Sequence, residues 1–242
     1  MPRTLVIIPA HNEEPLIGEV VGRVRKAVPE CDILVVDDGS YDHTAAVAGR
    51  AGALVIRHPY NMGYGTTIQT GFKHARRQQY DFVVQLDGDG QHDPEFIPRL
   101  LEPVVRGETD FALGSRFLDV ESYRPSFSRR LGILIFRKLV SVLIGRPITD
   151  PTSGYAAFNK DVARFFTADI FPCDYPDADM LVTLNLAGFR IQEVPVRMLA
   201  NEEGKTMHGG LKPLYYIFKM FLSISVTLMR SRKFYRKVVS CR

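Results

Sequence analysis

Residues 81–93 read Asp81-Phe-Val-Val-Gln-Leu-Asp87-Gly-Asp89-Gly-Gln-His-Asp93. A short apolar run, residues 82–86, ends abruptly in two carboxylates separated by one glycine. The run has the length and composition of a buried strand. Residues two apart share one face of a strand, so Asp87 and Asp89 can converge where the strand gives way to a Gly-rich loop. Such a pair suits a hard divalent cation whose remaining positions are filled by water and phosphate. Gly88 and Gly90 leave room for a ligand to approach the backbone. An EF-hand loop is excluded, because Gln91 and His92 stand where that loop needs Asp or Asn and then Gly.

Two further apolar runs also end in polar, acidic loops. Leu5-Val-Ile-Ile8 leads into Pro9-Ala-His11-Asn12-Glu13, and Ile33-Leu-Val-Val36 leads into Asp37-Asp38-Gly39-Ser40. Helical stretches are expected at about 16–27, 42–51, 66–79 and 94–105, with shorter strands at 54–57 and 110–113. Strands alternating with helices of this length predict an α/β fold with a mostly parallel, Rossmann-like sheet flanked by helices. In such sheets ligands bind beyond the carboxyl ends of the strands. The three acidic clusters are therefore expected along one sheet edge, as one site.

Four segments, Val6-Ile-Ile-Pro-Ala-His-Asn-Glu13, Val35-Val-Asp-Asp-Gly-Ser40, Asn61-Met-Gly-Tyr-Gly65 and Leu86-Asp-Gly-Asp-Gly-Gln91, resemble glycosyltransferase family 2, nucleotide-sugar enzymes of the GT-A fold. Gly114-Ser-Arg-Phe117, Asp150-Pro-Thr-Ser-Gly154 and Glu193-Val-Pro-Val196 narrow the likeness to its dolichyl- and polyprenyl-phosphate sugar synthases. The resemblance runs in unbroken order through residues 4–206. It implies a catalytic domain over about 1–210.

Bulk properties agree. A chain of 242 residues, 45% hydrophobic, can bury one large α/β core. Cys31, Cys173 and Cys241 are scattered without metal-ligand or CxxC spacing, which suggests a reducing compartment and no disulfide framework. No basic-then-apolar leader precedes the first strand.

The net charge of +4 conceals an uneven distribution. Residues 211–242 hold eight Lys/Arg and residues 122–149 hold six, neither with an acid, which leaves −10 for the rest of the chain. Both stretches are also apolar. Residues 128–145 predict an amphipathic helix. In the C-terminal one, Lys212, Tyr216, Lys219, Ser223, Thr227 and Arg230 form a narrow polar stripe at helical spacing. A spanning helix needs about 20 apolar residues, so a basic amphipathic segment lying on the membrane surface is expected over 211–242. Its Lys and Arg would reach anionic headgroups. The competing expectation packs these helices on the protein's own core or on a second copy of the chain. Nucleic acid is not expected as a partner, since the basic residues alternate with aliphatics and no recognition motif is present.

The resemblance implies a chemistry for these residues. The donor is a UDP- or GDP-linked sugar, with Pro9, His11, Asn12, Glu13, Asp37, Asp38, Gly39 and Gly63 around its base and ribose. His11 stands where many relatives have tyrosine. Asp87, Asp89 and Gln91 are expected to hold Mg²⁺ or Mn²⁺ against the diphosphate, beside Gly88. A polyprenyl phosphate acceptor is already anionic and needs charge screening; Arg116 and Arg130, or Arg129 one position earlier, match the acceptor-phosphate arginines. Asp150 shapes the floor of the site. A glycan hydroxyl as acceptor would instead require a base, for which Asp177 and Asp179 are the candidates. One departure concerns Asn201-Glu-Glu-Gly-Lys-Thr206, which lacks the arginine that relatives place near this point; Lys205 supplies a point charge in its stead. Peripheral attachment at the cytoplasmic face of the membrane follows as an expectation, with a small membrane-protein partner or homo-oligomerisation through the apolar helices.

Other classes fit less well. The dinucleotide fingerprint fails because Ile68 stands where Gly63-Tyr-Gly65 would need a third glycine. Gly204-Lys205-Thr206 is not a Walker loop, since Leu199 occupies the first glycine's position. A nucleotidyltransferase lacks its Gly-rich, Lys-bearing N-terminal loop. A non-catalytic nucleotide-sugar-binding relative remains as an alternative, which binding without turnover would reveal.

Overall fold

The computed structural model describes residues 2–118, 127–168, 170–171, 176–199, 212–230 and 232–240. Its described residues form a seven-stranded sheet of order β3-β2-β1-β4-β6-β5-β7. The strands are β1 (Thr4–Ala10), β2 (Asp32–Asp37), β3 (Leu54–Arg57), β4 (Phe82–Gln85), β5 (Phe111–Ser115), β6 (Ala156–Asn159) and β7 (Ile191–Pro195). All neighbours pair in parallel except β6, which runs antiparallel to both β4 and β5. The mostly parallel sheet is as expected. The antiparallel insertion is not foreseen, because β6 is only four residues long and shows no readable period.

Helices cover both faces, which explains why the strands read as unbroken apolar runs. Leu5 and Ile7 enter one core layer, Val6 and Ile8 the other, and all four are fully buried. The Val6/Ile8 layer is closed by α1 (Glu14–Ala27), α2 (Thr44–Arg50) and α4 (Ile97–Val105). In α1 the buried residues Ile17, Val20, Val21 and Val24 recur at helical spacing, while Arg25 and Lys26 in its last turn suit the negative end of the helix dipole. The opposite layer is closed by α3 (Tyr64–Arg77), α5 (Phe127–Ile144), α6 (Lys160–Phe165), α7 (Ala178–Ala187), α8 (Lys212–Met229) and α9 (Arg232–Ser240). Gly71 lets α3 press onto β1, since a Cβ there would sit 2.6 Å from Ile7 Cγ2.

Register places the strand ends together. Ala10 pairs with Asp37 and Asp37 with Arg57, while Ile7 pairs with Gln85 and so brings Asp87 level with Pro9. The chain steps outward from β1 to β3 and then returns to β4 on the other side of β1. A crevice opens at such a reversal of strand order. Asp87 emerges into it.

The C-terminal helices join the main core through Met220, Ile224 and Tyr235. Their orientation departs from expectation. Met220, Ile224 and Thr227 are buried and Ser223 donates a hydrogen bond to Asp179 on α7, so the narrow polar stripe of α8 turns inward at these positions. Phe218, Phe221, Leu222, Val226, Leu228 and Met229 are left exposed. Leu134, Ile135 and Val142 of α5 are exposed as well. Among the described residues no helix is long and apolar enough to cross a membrane.

Asp179 is fully buried, accepting from Ser223 Oγ and, at 2.8 Å, from the Met180 N–H. Burial, reinforced by Asp177, pushes its pKa up to about 7 against these two donors. An aspartate raised in the folded state contributes stability that is complete below its unfolded pKa, near 3.9, and is lost as pH rises toward 7. His92, lowered to about 4, acts with the opposite sign between pH 4 and 6.5, so comparison with a variant is needed to isolate Asp179. Asp179→Asn keeps an acceptor and a group able to pair with Ser223. Denaturant unfolding should therefore show this variant gaining on the wild type from pH 5 to pH 8. Above about pH 7 the group is ionised in both states, so roughly two pH units at about 1.4 kcal/mol each bound the gain near 3 kcal/mol. An equal difference at both pH values would mean that Asp179 titrates like an exposed aspartate.

Candidate active site

The loops after β1 and β2 are stitched into one wall. Asn12 adopts a left-handed backbone (φ 56°), donates its N–H to Ser40 Oγ at 2.9 Å and accepts from the Tyr41 N–H at 2.9 Å through Oδ1. His11 is hydrogen-bonded through Nδ1 to the Asp38 carbonyl at 3.0 Å and meets Tyr41 edge-on at 6.2 Å. Gly39 (φ +67°) is required here twice over, since a Cβ would also lie 2.4 Å from the Tyr60 carbonyl carbon. A concavity of about 440 Å³, walled by residues 39–41 and 57–60, opens beyond β2 and β3. Tyr41 and Tyr60 stand 90% and 65% exposed at it. Asp87 and Asp89 lie outside this concavity.

Asp37 and Asp38 have different partners. Asp38 accepts from His58 Nδ1 and the Met62 N–H through Oδ1, both at 2.8 Å, and from the Gly63 N–H through Oδ2 at 2.9 Å. Burial alone would raise its pKa, and these donors more than offset it, leaving the carboxyl below the ordinary aspartate value. Asp38 thus fastens the 58–63 loop. Asp37 is fully buried and accepts from Ser40 through Oδ1. Its Oδ2 lies 3.1 Å from Arg57 Nε but accepts no aligned hydrogen bond.

The acidic pair sits at the reversal of strand order. Asp87 Oδ1 accepts from the Tyr64 hydroxyl at 2.7 Å. Its N–H donates to His92 Nδ1 at 2.9 Å, which fixes that nitrogen as unprotonated. His92 is buried and stacked on Tyr155 at 4.9 Å, and burial pushes its pKa down to about 4. The imidazole is therefore a neutral brace, not a counter-ion, although Asp87 Oδ2 is only 3.9 Å away. Asp89 accepts from the Gln91 N–H at 3.0 Å and from Gln91 Nε2 at 2.6 Å. Burial raises Asp87 and Asp89, and Asp87 raises Asp89 further. Among the described residues neither carboxylate forms an ion pair with Lys or Arg. Two under-compensated carboxylates are a donor set that fits a hard divalent cation. No group of three or more His, Cys, Asp or Glu forms a complete cage among the described residues, so further ligands would come from water or substrate. Gly88 does not open space for a ligand as expected: a Cβ there would lie 3.0 Å from the Pro9 carbonyl oxygen, so the glycine permits close strand packing. Gly90 takes the left-handed backbone of the turn (φ +74°).

Across the crevice the three later motifs form one unit. Arg116, at the end of β5, grips Asp150 through Nε and Nη2, both at 2.6 Å, and donates from Nη2 to Thr152 Oγ1 at 3.0 Å. The pair is buried, with side-chain exposures of 9% and 0%. Glu193 on β7 accepts from the Thr149 and Asp150 N–H groups and the Thr149 hydroxyl at 2.8–2.9 Å. Arg116 still acts on Asp87, lowering it against the effect of burial. Arg129 and Arg130 lie in the first turn of α5; Lys205 lies outside the described residues. Leu199, the last described residue before Lys205, donates its N–H to the Gln91 carbonyl at 2.8 Å. Of the two candidate bases, Asp177 is close enough to raise Tyr64, whereas Asp179 is engaged with α8. Tyr64, His92 and the bracing role of Glu193 add to the site that the sequence predicts; the Asn61-Met-Gly-Tyr-Gly65 and Glu193-Val-Pro-Val196 segments are the signals in sequence for Tyr64 and Glu193.

The sheet order and the acidic pair at its reversal define an α/β enzyme fold of the GT-A class. A crystal structure of glucosyl-3-phosphoglycerate synthase from Mycobacterium tuberculosis in complex with Mn²⁺ and UDP-glucose shares the fold. Its TM-score is 0.71 at 21% identity, covering 93% of this chain and 78% of that one. The chain belongs to glycosyl transferase family 2, whose profile matches residues 5–166. It is 34% identical to an undecaprenyl-phosphate mannosyltransferase of Micrococcus luteus over 86% of this chain and 89% of that protein. It is also 34% identical to a polyprenol monophosphomannose synthase of Mycolicibacterium smegmatis, over 90% and 85% respectively.

Proposed function

We propose that this chain is an inverting glycosyltransferase that moves a sugar from a nucleoside diphosphate sugar to a polyprenyl phosphate while attached peripherally to the cytoplasmic face of the membrane. The observation that carries the donor half is the under-compensated Asp87/Asp89 pair at the reversal of strand order. Similarity to two polyprenyl-phosphate mannosyltransferases along most of their length supports the acceptor half. The outward apolar faces of α5 and α8 support membrane contact.

In this reading Asp87, Asp89 and Gln91 hold Mg²⁺ or Mn²⁺, an ion present with UDP-glucose in the M. tuberculosis enzyme. When bound, the cation stabilises negative charge on the departing diphosphate. Pro9, His11, Asn12, Glu13, Asp37, Gly39 and Gly63 line the nucleoside, with Asp38 acting through the loop it fastens. Lys205 contributes a positive charge near the diphosphate. A phosphate oxygen of the acceptor bonds to the anomeric carbon as the bond from that carbon to the β-phosphate oxygen breaks. The nucleoside diphosphate leaves with that electron pair and the configuration inverts. No base is needed, because the attacking oxygen is already anionic. Arg116, Arg129 and Arg130 screen it, and Asp150 holds the Arg116 guanidinium in place. A hydroxyl acceptor would call on Asp177.

Incubation with labelled UDP- and GDP-sugars tests this when polyprenyl phosphate and the matching polyprenol are offered side by side with Mn²⁺. Label should enter the organic phase only with the phosphorylated lipid. Equal transfer to the free alcohol would move the chemistry to a base-dependent hydroxyl reaction.

A further inference from the structure

We propose that Tyr64 is the residue that aims Asp87 at the cation, and that Gly154 is the contact surface that keeps the two side chains in register. The inference rests on the cation reading above. Tyr64 opens α3 directly after Gly63 (φ +94°), and its hydroxyl reaches across to the end of β4. There it donates to Asp87 Oδ1 at 2.7 Å and accepts from Gln85 Nε2 at 3.1 Å. Gln85 is 2% exposed and sits two residues before Asp87, so the hydroxyl is clamped by the strand that presents the carboxylate.

Tyr64 is the sole donor to the Asp87 carboxylate among the described residues, and it takes one oxygen only. Oδ2 accepts from no donor among the described residues. Gly154, in the turn before β6, closes the arrangement: a Cβ there would lie 3.0 Å from Tyr64 Oη and 3.2 Å from Asp87 Oδ2. Any larger residue would push the hydroxyl or the carboxylate out of line. A hydrogen-bonded partner of a metal-binding carboxylate fixes its direction, and its loss typically weakens metal binding by about 10–100-fold. A tyrosine that only fills space would leave cation affinity alone when Phe, which keeps the ring, replaces it.

The test is Mn²⁺ binding, read from the loss of the free-ion electron paramagnetic resonance signal, with UDP or GDP present. Wild type, Tyr64→Phe, Gly154→Ala and the double variant are compared, alongside melting temperatures without metal. Tyr64→Phe should weaken Mn²⁺ by about 10–100-fold and also lower the melting temperature, because Gln85 Nε2 loses its acceptor. Gly154→Ala should weaken it in the same direction although the hydroxyl is intact. The double variant should lose less than the product of the two, because both act on one carboxylate. Wild-type Mn²⁺ affinity in Tyr64→Phe, or simple multiplication of the two losses, overturns the proposal. An Asp89→Ala control that binds Mn²⁺ as tightly as wild type would instead sink the cation reading itself.

Discussion

Asp89→Ala should lower sugar transfer by about 10²–10³-fold or more while the protein melts at an equal or higher temperature. The two halves of this expectation have one cause. Asp89 is raised by burial and by repulsion from Asp87, so without a cation the folded chain gains nothing from ionising it. Removing the carboxyl relieves that repulsion and leaves Asp87 with its Tyr64 hydrogen bond. Activity and stability then move in opposite directions, as is common where a site holds charge for its substrate. Thermal melting and a single-turnover assay on the same preparation check both halves. Near-normal turnover would remove the carboxylate from the chemistry, and a large fall in melting temperature would make it a structural residue.

The second large effect concerns stability. Asp150→Ala would remove the carboxylate that the 9% exposed Arg116 side chain grips through Nε and Nη2, and with it the acceptor of the Arg116 N–H. Breaking a buried ion pair by deleting one partner costs about 3–5 kcal/mol. Replacing both partners by apolar residues of similar size, as in Arg116→Met with Asp150→Leu, should return most of that stability. It should not return transfer, because a thioether cannot screen an acceptor phosphate. Denaturant melts and transfer rates for the single and double variants separate the two roles. Recovered transfer in the double variant would show that Arg116 serves the fold alone.

What could be read from sequence followed from periodicity and strand ends. The strands β1, β2 and β4 are buried on both faces and lead into polar, acidic loops, so their positions and the shared edge were legible. Helix α5 was legible too, expected at 128–145 and found at Phe127–Ile144. By contrast α7 has every residue from Ala178 through Leu184 buried, Asp179 and Thr183 included, and offers no amphipathic period. Polar partnerships were the larger omission. Nothing local tells that Asp38 spends both oxygens on the 58–63 loop, or that Glu193 braces a turn over 40 residues earlier. Sequence spacing also marked the stripe on α8 correctly but not which way it faces. Asp179, on a separate helix, turns Ser223 inward and leaves phenylalanine and leucine outside.

The most direct test of the account is anomalous scattering from crystals grown with Mn²⁺ and UDP or GDP. One manganese peak is expected at coordination distance from carboxylate oxygens of both Asp87 and Asp89. Nucleotide bound with no metal at those carboxylates, or manganese bound elsewhere on the chain, would contradict it.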